Sequence, residues 1–326
     1  MIMKKVLFFA ATAALALSSC SNEVTESFQT KAPERTPIVI ETYMPKLTRA
    51  VEASVADLET VANGFWLKAT ANEELINTTF VGSIPQNAEA YVWGPSDGQT
   101  KFYWPADPEE TVTFLGVYDP AGSYEGAETL SLNVDGANDY LVAKTVTSLQ
   151  NNPTGSVSIR FKHILSEIKV EAVGLVDGYE YTVGKVKVNT PATATYNFAA
   201  TENNLVAGAA ADLVINDAEI STDQATYAEP NNNCFTLTTE TPSAVANPVM
   251  LVPGVESTLT VQYLVYLPGS GVKEVKTATA KFTPVAASIN TLRIKLNPGK
   301  VEIVLNVEGV DALGNAEDKE YIIPVV

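Results

Sequence analysis

Short runs of alternating apolar and polar residues recur along most of this chain, and most of them end in glycine, proline or asparagine. Residues 65–69, 112–118, 259–267 and 291–296 are four such runs. Alternation with a period of two predicts β-strands with one buried face, and turn signals every ~8–12 residues are typical of β-sandwiches. No long amphipathic helix and no strand–helix alternation interrupt this pattern. The sequence therefore predicts an all-β protein.

The length of the chain and one turn-rich segment predict two domains. A chain of 326 residues is long enough for two cores of ordinary size. Glycines at both ends of residues 174–178 indicate a boundary, with an N-terminal β-sandwich at 37–176 and a C-terminal β-sandwich at 177–326. Within the second domain, the Ala-, Asn- and Gly-rich residues 199–212 are expected to form a surface loop.

The strongest strand pattern, at residues 157–173, changes face half-way. Its apolar residues occupy odd positions up to Phe161 and even positions from Ile168 onward. Since neighbouring side chains of a strand point to opposite faces, the change predicts a bulge or bend at residues 163–167. His163, the only histidine, lies at this break. No serine or cysteine motif accompanies it, so we interpret it as a hydrogen-bonded, partly buried structural histidine.

Residues 37–45 predict a short strand with a proline at each end. Ile38, Ile40 and Met44 share one side of this strand and are expected to face a core. Terminal prolines favour an edge strand, because proline cannot donate to the hydrogen-bond ladder of a sheet. A basic loop that looks cleavable, residues 46–50, follows with Arg49 and Ala50. We interpret this stretch as a removable first strand followed by a cleavage loop.

The N-terminus has the pattern of an export signal. A basic start at Lys4 and Lys5 precedes an apolar run at residues 6–17, which is shorter than the roughly 20 residues of a membrane-spanning helix. Leu17-Ser-Ser-Cys20 resembles the bacterial lipobox, which predicts a signal peptide at 1–19 and lipid attachment at Cys20; an ordinary secretory peptide is the alternative. Residues 20–36 are polar and predict a tether. With Cys20 lipidated, Cys234 has no partner for a disulfide and is expected to be inert.

Charge and motifs exclude several classes of function. The chain has 38 acidic and 21 basic residues and a net charge of -17, which argues against nucleic-acid binding. It contains none of the short motifs of metalloproteases, serine hydrolases, P-loop proteins or dinucleotide-binding enzymes. Residues 133–139 are rich in oxygen ligands, but their spacing differs from a calcium loop and favours a plain turn. We therefore expect no enzyme activity, no cofactor and no metal.

Several blocks of residues resemble the fimbrillin family of Bacteroidetes, the subunits of type V pili and their relatives. The resemblance extends over nearly the whole chain, and the order of the blocks is more specific than any one of them. These blocks are Trp104-Pro105, residues 114–120, residues 139–143, residues 160–170 and Leu251-Val-Pro253 with residues 259–263.

The resemblance implies two transthyretin-like Greek-key β-sandwich domains in tandem, in a lipoprotein exported to the outer-membrane surface. It also implies that a trypsin-like or arginine-specific protease cuts in an early loop, most naturally between Arg49 and Ala50. Arg35 is the other candidate, but a cut there leaves the first strand in place. The first strand then leaves the N-terminal domain, and a C-terminal strand of another pilus subunit fills the groove.

The role of the last strand stays open at this point. Tyr321, Ile323 and Val325 alternate and are suited to a donor strand, although Pro324 interrupts the ladder. The alternative is that this segment completes the C-terminal domain. The sequence also leaves open whether the protein is a shaft, tip or anchor subunit.

A second function is an uncleaved, monomeric surface lipoprotein that binds glycans or host proteins. Three tryptophans are candidates for a sugar-binding platform: Trp66, Trp93 and Trp104. Large aromatic residues in a β-sandwich more often belong to the core, which is the interpretation that we prefer.

Overall fold

The computed structural model describes residues 35–43, 64–83, 92–96, 101–200, 204–220, 234–270, 274–286, 288–310 and 316–323. These residues contain β-strands and no helix, which confirms the all-β prediction for this part of the chain. They all belong to one compact unit, Arg35–Val326. The strands are β1 (Val39–Tyr43), β2 (Phe65–Thr70), β3 (Glu74–Ser83), β4 (Val92–Pro95), β5 (Thr111–Tyr118), β6 (Thr129–Asn133), β7 (Leu141–Ser148), β8 (Ser156–Arg160), β9 (Lys162–His163), β10 (Ser166–Gly174), β11 (Glu180–Pro191), β12 (Thr193–Asn197), β13 (Leu205–Ala207), β14 (Ala210–Asn216), β15 (Phe235–Leu237), β16 (Ser243–Ala244), β17 (Val249–Leu251), β18 (Ser257–Tyr266), β19 (Val275–Phe282), β20 (Ser288–Asn297), β21 (Lys300–Val310) and β22 (Ala316–Ile323).

The first sandwich consists of two sheets that share a core. β1 and β8 form a two-stranded parallel sheet, and the second sheet is antiparallel with the order β4-β3-β2-β5-β7-β9. Alternate residues of both sheets point inward, as the period of two predicts. The buried side chains of this core are Ile40, Phe65, Leu67, Ala69, Ile76, Phe80, Trp104, Val112, Phe114, Leu141, Ala143, Val157, Ile159 and Phe161.

The six-stranded sheet is covered on its other face as well. A small sheet, β13-β12-β6, packs there against Val117 of β5 and Val142 of β7. Burial of both faces explains why β5 and β7 contain near-continuous apolar runs such as Leu141-Val-Ala143, instead of strict alternation. The small sheet includes β12, so residues beyond position 176 also pack on the first sandwich.

The second sandwich is formed by two larger sheets. One has the strand order β14-β11-β18-β19, with β15 also paired to β11, and the other has the order β16-β10-β20-β21-β22, with β17 also paired to β10. Their shared core is made largely of valine, leucine and isoleucine, including Val183, Leu259 and Leu292, all without exposed surface. The described residues therefore have a separate core in each sandwich.

The predicted break at residues 163–167 is present as a bend at Ile164 and Leu165. β8, before the bend, belongs to the first sandwich, whereas β10, after it, pairs in parallel with β20 of the second sandwich. The change of buried face thus marks the point where the chain passes from one sandwich to the other. β10 lies before the predicted boundary at 176 but belongs to the second sandwich by its pairing; the domain limits themselves stay a prediction.

One sequence prediction about the second half is wrong. A surface loop is predicted at residues 199–212, but β13 and the first three residues of β14 lie there. None of their residues is fully buried. Within the predicted loop, Leu205-Val-Ala207 and Ala210-Ala211 are adjacent apolar residues without alternation, so the pattern of the sequence does not reveal these strands.

No helix in the described residues is long and apolar enough to cross a membrane.

Candidate functional site: the first strand and its cradle

β1 pairs with β8 along its whole length. The two strands run parallel, with Val39 opposite Ser156 and Tyr43 opposite Arg160. Among the described residues, β1 is the only strand that pairs with β8. Val157 and Ile159 of β8 have no exposed surface and belong to the first core. Because β1 pairs with β8, β1 also lies next to this core. Loss of β1 would therefore leave β8 without its strand partner in this part of the chain.

The residues just before β1 are held from the other side. Pro37 forms an isolated antiparallel bridge with Tyr103. The N–H of Ile38 donates to the Phe102 carbonyl at 2.9 Å, and the N–H of Trp104 donates to the Thr36 carbonyl at 3.0 Å. The residues that lead into β1 thus lie in a slot between the 102–104 segment and β8. Val39–Tyr43 itself pairs only with β8 among the described strands. This partly agrees with the predicted edge strand.

The burial pattern of β1 confirms the predicted inward face where it is described. Ile40 is 6% exposed and belongs to the first core, and Ile38 is partly buried against that core. On the opposite side, Val39 is 46% exposed and Glu41 is exposed. Met44, the third residue predicted to face inward, lies outside the described residues. Among the described side chains of β1, Ile40 therefore makes the main contact with the core.

One polar atom of β1 weakens its packing. Thr42 Oγ1 is buried and has no hydrogen-bond partner among the described residues. An unsatisfied buried polar group costs about 1–3 kcal/mol, because its hydrogen bonds to water are lost without replacement. Within the described residues, β1 thus combines one buried apolar side chain, Ile40, with one buried hydroxyl that has no partner there.

Gly155 is the residue on which both sides of the slot converge. Its carbonyl accepts the Val39 N–H at 3.0 Å and the indole N–H of Trp104 at 3.1 Å. Gly155 has φ +83°, a region that side chains disfavour, and a Cβ there would lie 2.4 Å from the Pro37 carbonyl oxygen. Glycine is thus required both by the backbone conformation and by the close approach of the segment that leads into β1.

We expect the substitution Gly155→Ala to loosen β1 more than the rest of the molecule. The added methyl group displaces the Pro37 carbonyl, and the backbone strain adds about 1–2 kcal/mol. Amide hydrogen exchange should become faster at Val39 and Ile40 while β18 and β20 keep their protection. Gly254→Ala is a matched control, because Gly254 also has a positive φ, +73°, but a Cβ there meets nothing within 4 Å. Equal acceleration in both variants would contradict this role of Gly155.

Several predicted site residues lie outside the described residues: Cys20, Arg49, Ala50 and Val325. Arg35, the alternative cleavage position, is exposed. Tyr321 and Ile323 lie in β22, which pairs antiparallel with β21 as the last strand of the second sandwich. The structure thus places the two described donor candidates in their own domain, and their donor role stays a prediction.

The tryptophans do not form a common platform. Trp104 has no exposed surface and packs edge-on against Phe114, with ring centroids 5.6 Å apart. Trp93 is partly buried against Phe65, and Trp66 packs against Tyr124 over the small sheet. Trp104 belongs to the first core, as the preferred interpretation predicts. Trp93 is partly buried against the same core, and Trp66 is partly buried in the cluster beneath the small sheet.

The other polar candidates have structural roles. His163 Nδ1 contacts Asp139 Oδ2, and the His163 side chain is 12% exposed, which confirms a partly buried, hydrogen-bonded histidine. Asp135 Oδ1 accepts the N–H groups of Ala137 and Asn138, which confirms a plain turn at residues 133–139. Burial raises the pKa of the Cys234 thiol, which disfavours the reactive thiolate. Among the described residues, no group of three or more His, Cys, Asp or Glu side chains is arranged to hold a metal ion.

Comparison with known proteins identifies the family. The model of the fimbrillin-like family matches residues 48–309, which is most of the chain, and the match begins after β1. No curated protein matches. Among solved structures, the chain is similar to a proposed cell adhesion protein from Bacteroides uniformis, with 16% identity, 83% of this chain and 97% of that chain covered, and a TM-score of 0.49. It is also similar to one from Bacteroides ovatus, with 12% identity, 89% and 99% covered, and a TM-score of 0.49.

A fimbrial assembly protein from Parabacteroides distasonis is similar as well, with 14% identity, 87% of this chain and 100% of that chain covered, and a TM-score of 0.43. The family match extends over far more than half of the chain. This chain therefore belongs to the fimbrillin-like family, whose members act as pilus subunits or adhesins at the cell surface and not as enzymes.

Proposed function

We propose that this protein is a type V pilus subunit whose first strand is a removable plug. In this proposal the chain is exported as a lipoprotein anchored through Cys20 to the outer membrane. A trypsin-like or arginine-specific protease then cuts between Arg49 and Ala50, β1 leaves, and a strand of another pilus subunit takes its place beside β8. The observation that carries the proposal is the pairing of β1, which covers the edge of β8 and contributes Ile40 to the core.

The energetics of β1 favour both release and replacement. Full burial of Ile40 and partial burial of Ile38 contribute about 2–5 kcal/mol, at 1.5–3 kcal/mol for a fully buried side chain. The stability of a whole domain is about 5–15 kcal/mol, so a cut subunit without β1 is left weak but not necessarily unfolded. A donated strand restores the backbone pairing of β8 and fills the site of Ile40 with its own side chain. Cleavage therefore acts as a switch for assembly.

The donor in this proposal is the C-terminal strand of a neighbouring subunit. In β22, Tyr321 and Ile323 are two residues apart and so share one side of the strand, as a groove that takes alternate side chains requires. β22 is the end strand of its sheet, with β21 as its partner among the described residues. Its release from that end would leave the order β16-β10-β20-β21 intact.

We expect Arg49→Ala to abolish surface polymers. Without the cut, β1 stays covalently attached at a very high local concentration and outcompetes any donor strand. The measurement is the ladder of multimers on denaturing gels of surface fractions, prepared without boiling. Arg35→Ala is the matched control, since a cut at residue 35 does not release β1, and it should polymerise normally.

The protease class can be tested in the same assay. Arg49→Lys should still polymerise with a trypsin-like protease but not with an arginine-specific protease. If Arg49→Ala gives polymers of normal length, cleavage at this position is not the switch. If neither the unsubstituted chain nor any variant forms polymers, the uncleaved monomeric surface lipoprotein becomes the better model.

A further inference from the structure

A basic pocket opens on the outer face of the six-stranded sheet. Its volume is about 390 Å³, and it lies where the small sheet ends above β5, β7 and β9. Three cationic side chains line it together with two aromatic ones: Lys144, Arg160, Lys162, Tyr196 and Phe198. A concentration of positive charge is unusual in a chain with a net charge of -17.

Strand pairing explains why the cations converge. Lys162 of β9 is opposite Val142 of β7, and Lys144 lies two residues further along β7 on the same face. Ala143 and Phe161, next to these lysines in the sequence, are buried in the first core. Lys144 and Lys162 are therefore held on the other side of the sheet by the core packing of their neighbours. Arg160, the last residue of β8, lines the same pocket.

Two of the three cations of this pocket, Lys144 and Lys162, form no ion pair within the described residues. Most lysines of this part of the chain form an ion pair, for example Lys187 with Asp212 at 2.8 Å and Lys281 with Glu256 at 2.7 Å. For Lys144 and Lys162, no carboxylate oxygen among the described residues lies within 4.0 Å. Like charges on neighbouring strands repel each other, so their placement favours a bound anion.

The opposite wall of the pocket is aromatic and rigid. The rings of Tyr196 and Phe198 have centroids 5.3 Å apart, and Phe198 packs edge-on against Tyr124 at 5.7 Å. The side-chain amide of Asn204 donates to the carbonyls of Asn197 and Ala200 at 3.1 and 2.6 Å. An aromatic wall suits the C–H face of a ring ligand, and the cations suit an acidic group on that ring.

We propose that this pocket binds one acidic sugar residue of a glycan, with its carboxylate or sulfate group between Lys144, Arg160 and Lys162. The pocket is at the small end of the ~300–1,000 Å³ range of ligand sites, which fits one sugar ring better than an extended peptide. The ring packs on Phe198, and the lysine and arginine side chains donate charge-assisted hydrogen bonds to the anionic group. This inference goes beyond assembly. β1 lines no part of the pocket, but Tyr43 of β1 pairs with Arg160, so the uncut chain is the form to test.

Direct binding to the purified full-length chain in detergent tests the proposal. The probes are a hyaluronan tetrasaccharide (carboxylate only), a chondroitin sulfate tetrasaccharide (carboxylate and sulfate), neutral chitotetraose, and a hexaglutamate peptide, measured by calorimetry at low and at physiological salt. We expect at least one acidic tetrasaccharide to bind at least 10-fold more tightly than chitotetraose and hexaglutamate. A preference between the two acidic probes shows which anionic group the pocket selects.

Three variants assign binding to this pocket. The double variant Lys144→Gln/Lys162→Gln should weaken acidic-sugar binding at least 10-fold. Lys101→Gln/Lys281→Gln, which removes the same two charges from exposed positions elsewhere, should change it less than 2-fold. Phe198→Leu keeps the apolar volume but removes the ring, and should weaken the sugar probes about 5-fold while leaving hexaglutamate unchanged.

Three outcomes would overturn the proposal: no binding of either acidic tetrasaccharide, equal losses in the two double variants, or tighter binding of hexaglutamate than of the sugars. Arg49→Ala should bind the sugars as the unsubstituted chain does. A failure of the glycan proposal is therefore separable from a failure of the assembly proposal.

Discussion

Ile40→Ala should destabilise the uncut protein by about 2–4 kcal/mol and have no effect once the subunit has been processed. Ile40 is 6% exposed and packs in the first core, and truncation of a buried isoleucine to alanine costs about 2–5 kcal/mol through lost transfer energy and the cavity left behind. In the processed subunit, β1 is no longer part of the chain, so the substitution has nothing left to affect. Urea unfolding of the uncut chain and of processed polymers measures the two values.

The matched control for this prediction is Val39→Ala. Val39 is the preceding residue in the same strand but is 46% exposed, so we expect a change within about 0.5 kcal/mol. A persistent effect of Ile40→Ala after processing would mean that β1 stays bound to the subunit. That result would exclude replacement of β1 even if Arg49 is cut.

Trp104→Ala has the largest expected effect on stability, about 3–5 kcal/mol. The Trp104 side chain has no exposed surface, and its indole N–H donates to the Gly155 carbonyl at 3.1 Å. Truncation opens a cavity beside Phe114. It also removes one of the two N–H groups that donate to the Gly155 carbonyl. Because the Trp104 backbone pairs with Thr36, we expect β1 to lose protection against amide exchange before the remaining strands do.

Trp104→Phe separates packing from hydrogen bonding at this position. The phenyl ring fills most of the volume but cannot donate, so we expect a loss of about 1–3 kcal/mol, smaller than for alanine. Trp66→Phe provides a control outside the first core, since the indole of Trp66 donates to the exposed Asn77 amide at 2.9 Å. If Trp104→Ala lowers the free energy of unfolding no more than Trp66→Phe does, Trp104 does not stabilise the slot that holds the start of β1.

The sequence pattern predicts those parts of the fold where one face of a strand is buried. The inward side of β1 at Ile38 and Ile40 follows from alternation alone, and the bend after His163 follows from the change of parity between Phe161 and Ile168. In both cases, apolar residues two positions apart lie on the same face of a strand, and that face is buried. The alternation does not show which sheet the chain joins after the bend. In the structure, the strand after the bend, β10, pairs with β20 of the second sandwich.

Long-range pairing is the part that the sequence does not reveal. Nothing near Pro37 or Gly155 indicates that they touch, although the space available at Gly155 is limited by the Pro37 carbonyl. The basic pocket was missed for the same reason. Lys144 and Lys162 look like ordinary exposed strand residues, and only the register of β7 with β9 brings them together. The sequence also does not reveal β13 and the start of β14, because their residues Leu205-Val-Ala207 and Ala210-Ala211 are adjacent apolar residues without alternation.

The N-terminus of the protein in surface polymers tests the central proposal most directly. Polymers purified from the cell surface can be dissociated and their subunits analysed by N-terminal sequencing and intact mass. The proposal predicts subunits that begin at Ala50, so that residues 39–43 are absent from every subunit that has a partner. Subunits that begin at a lipidated Cys20 and still contain β1 within polymers would contradict it.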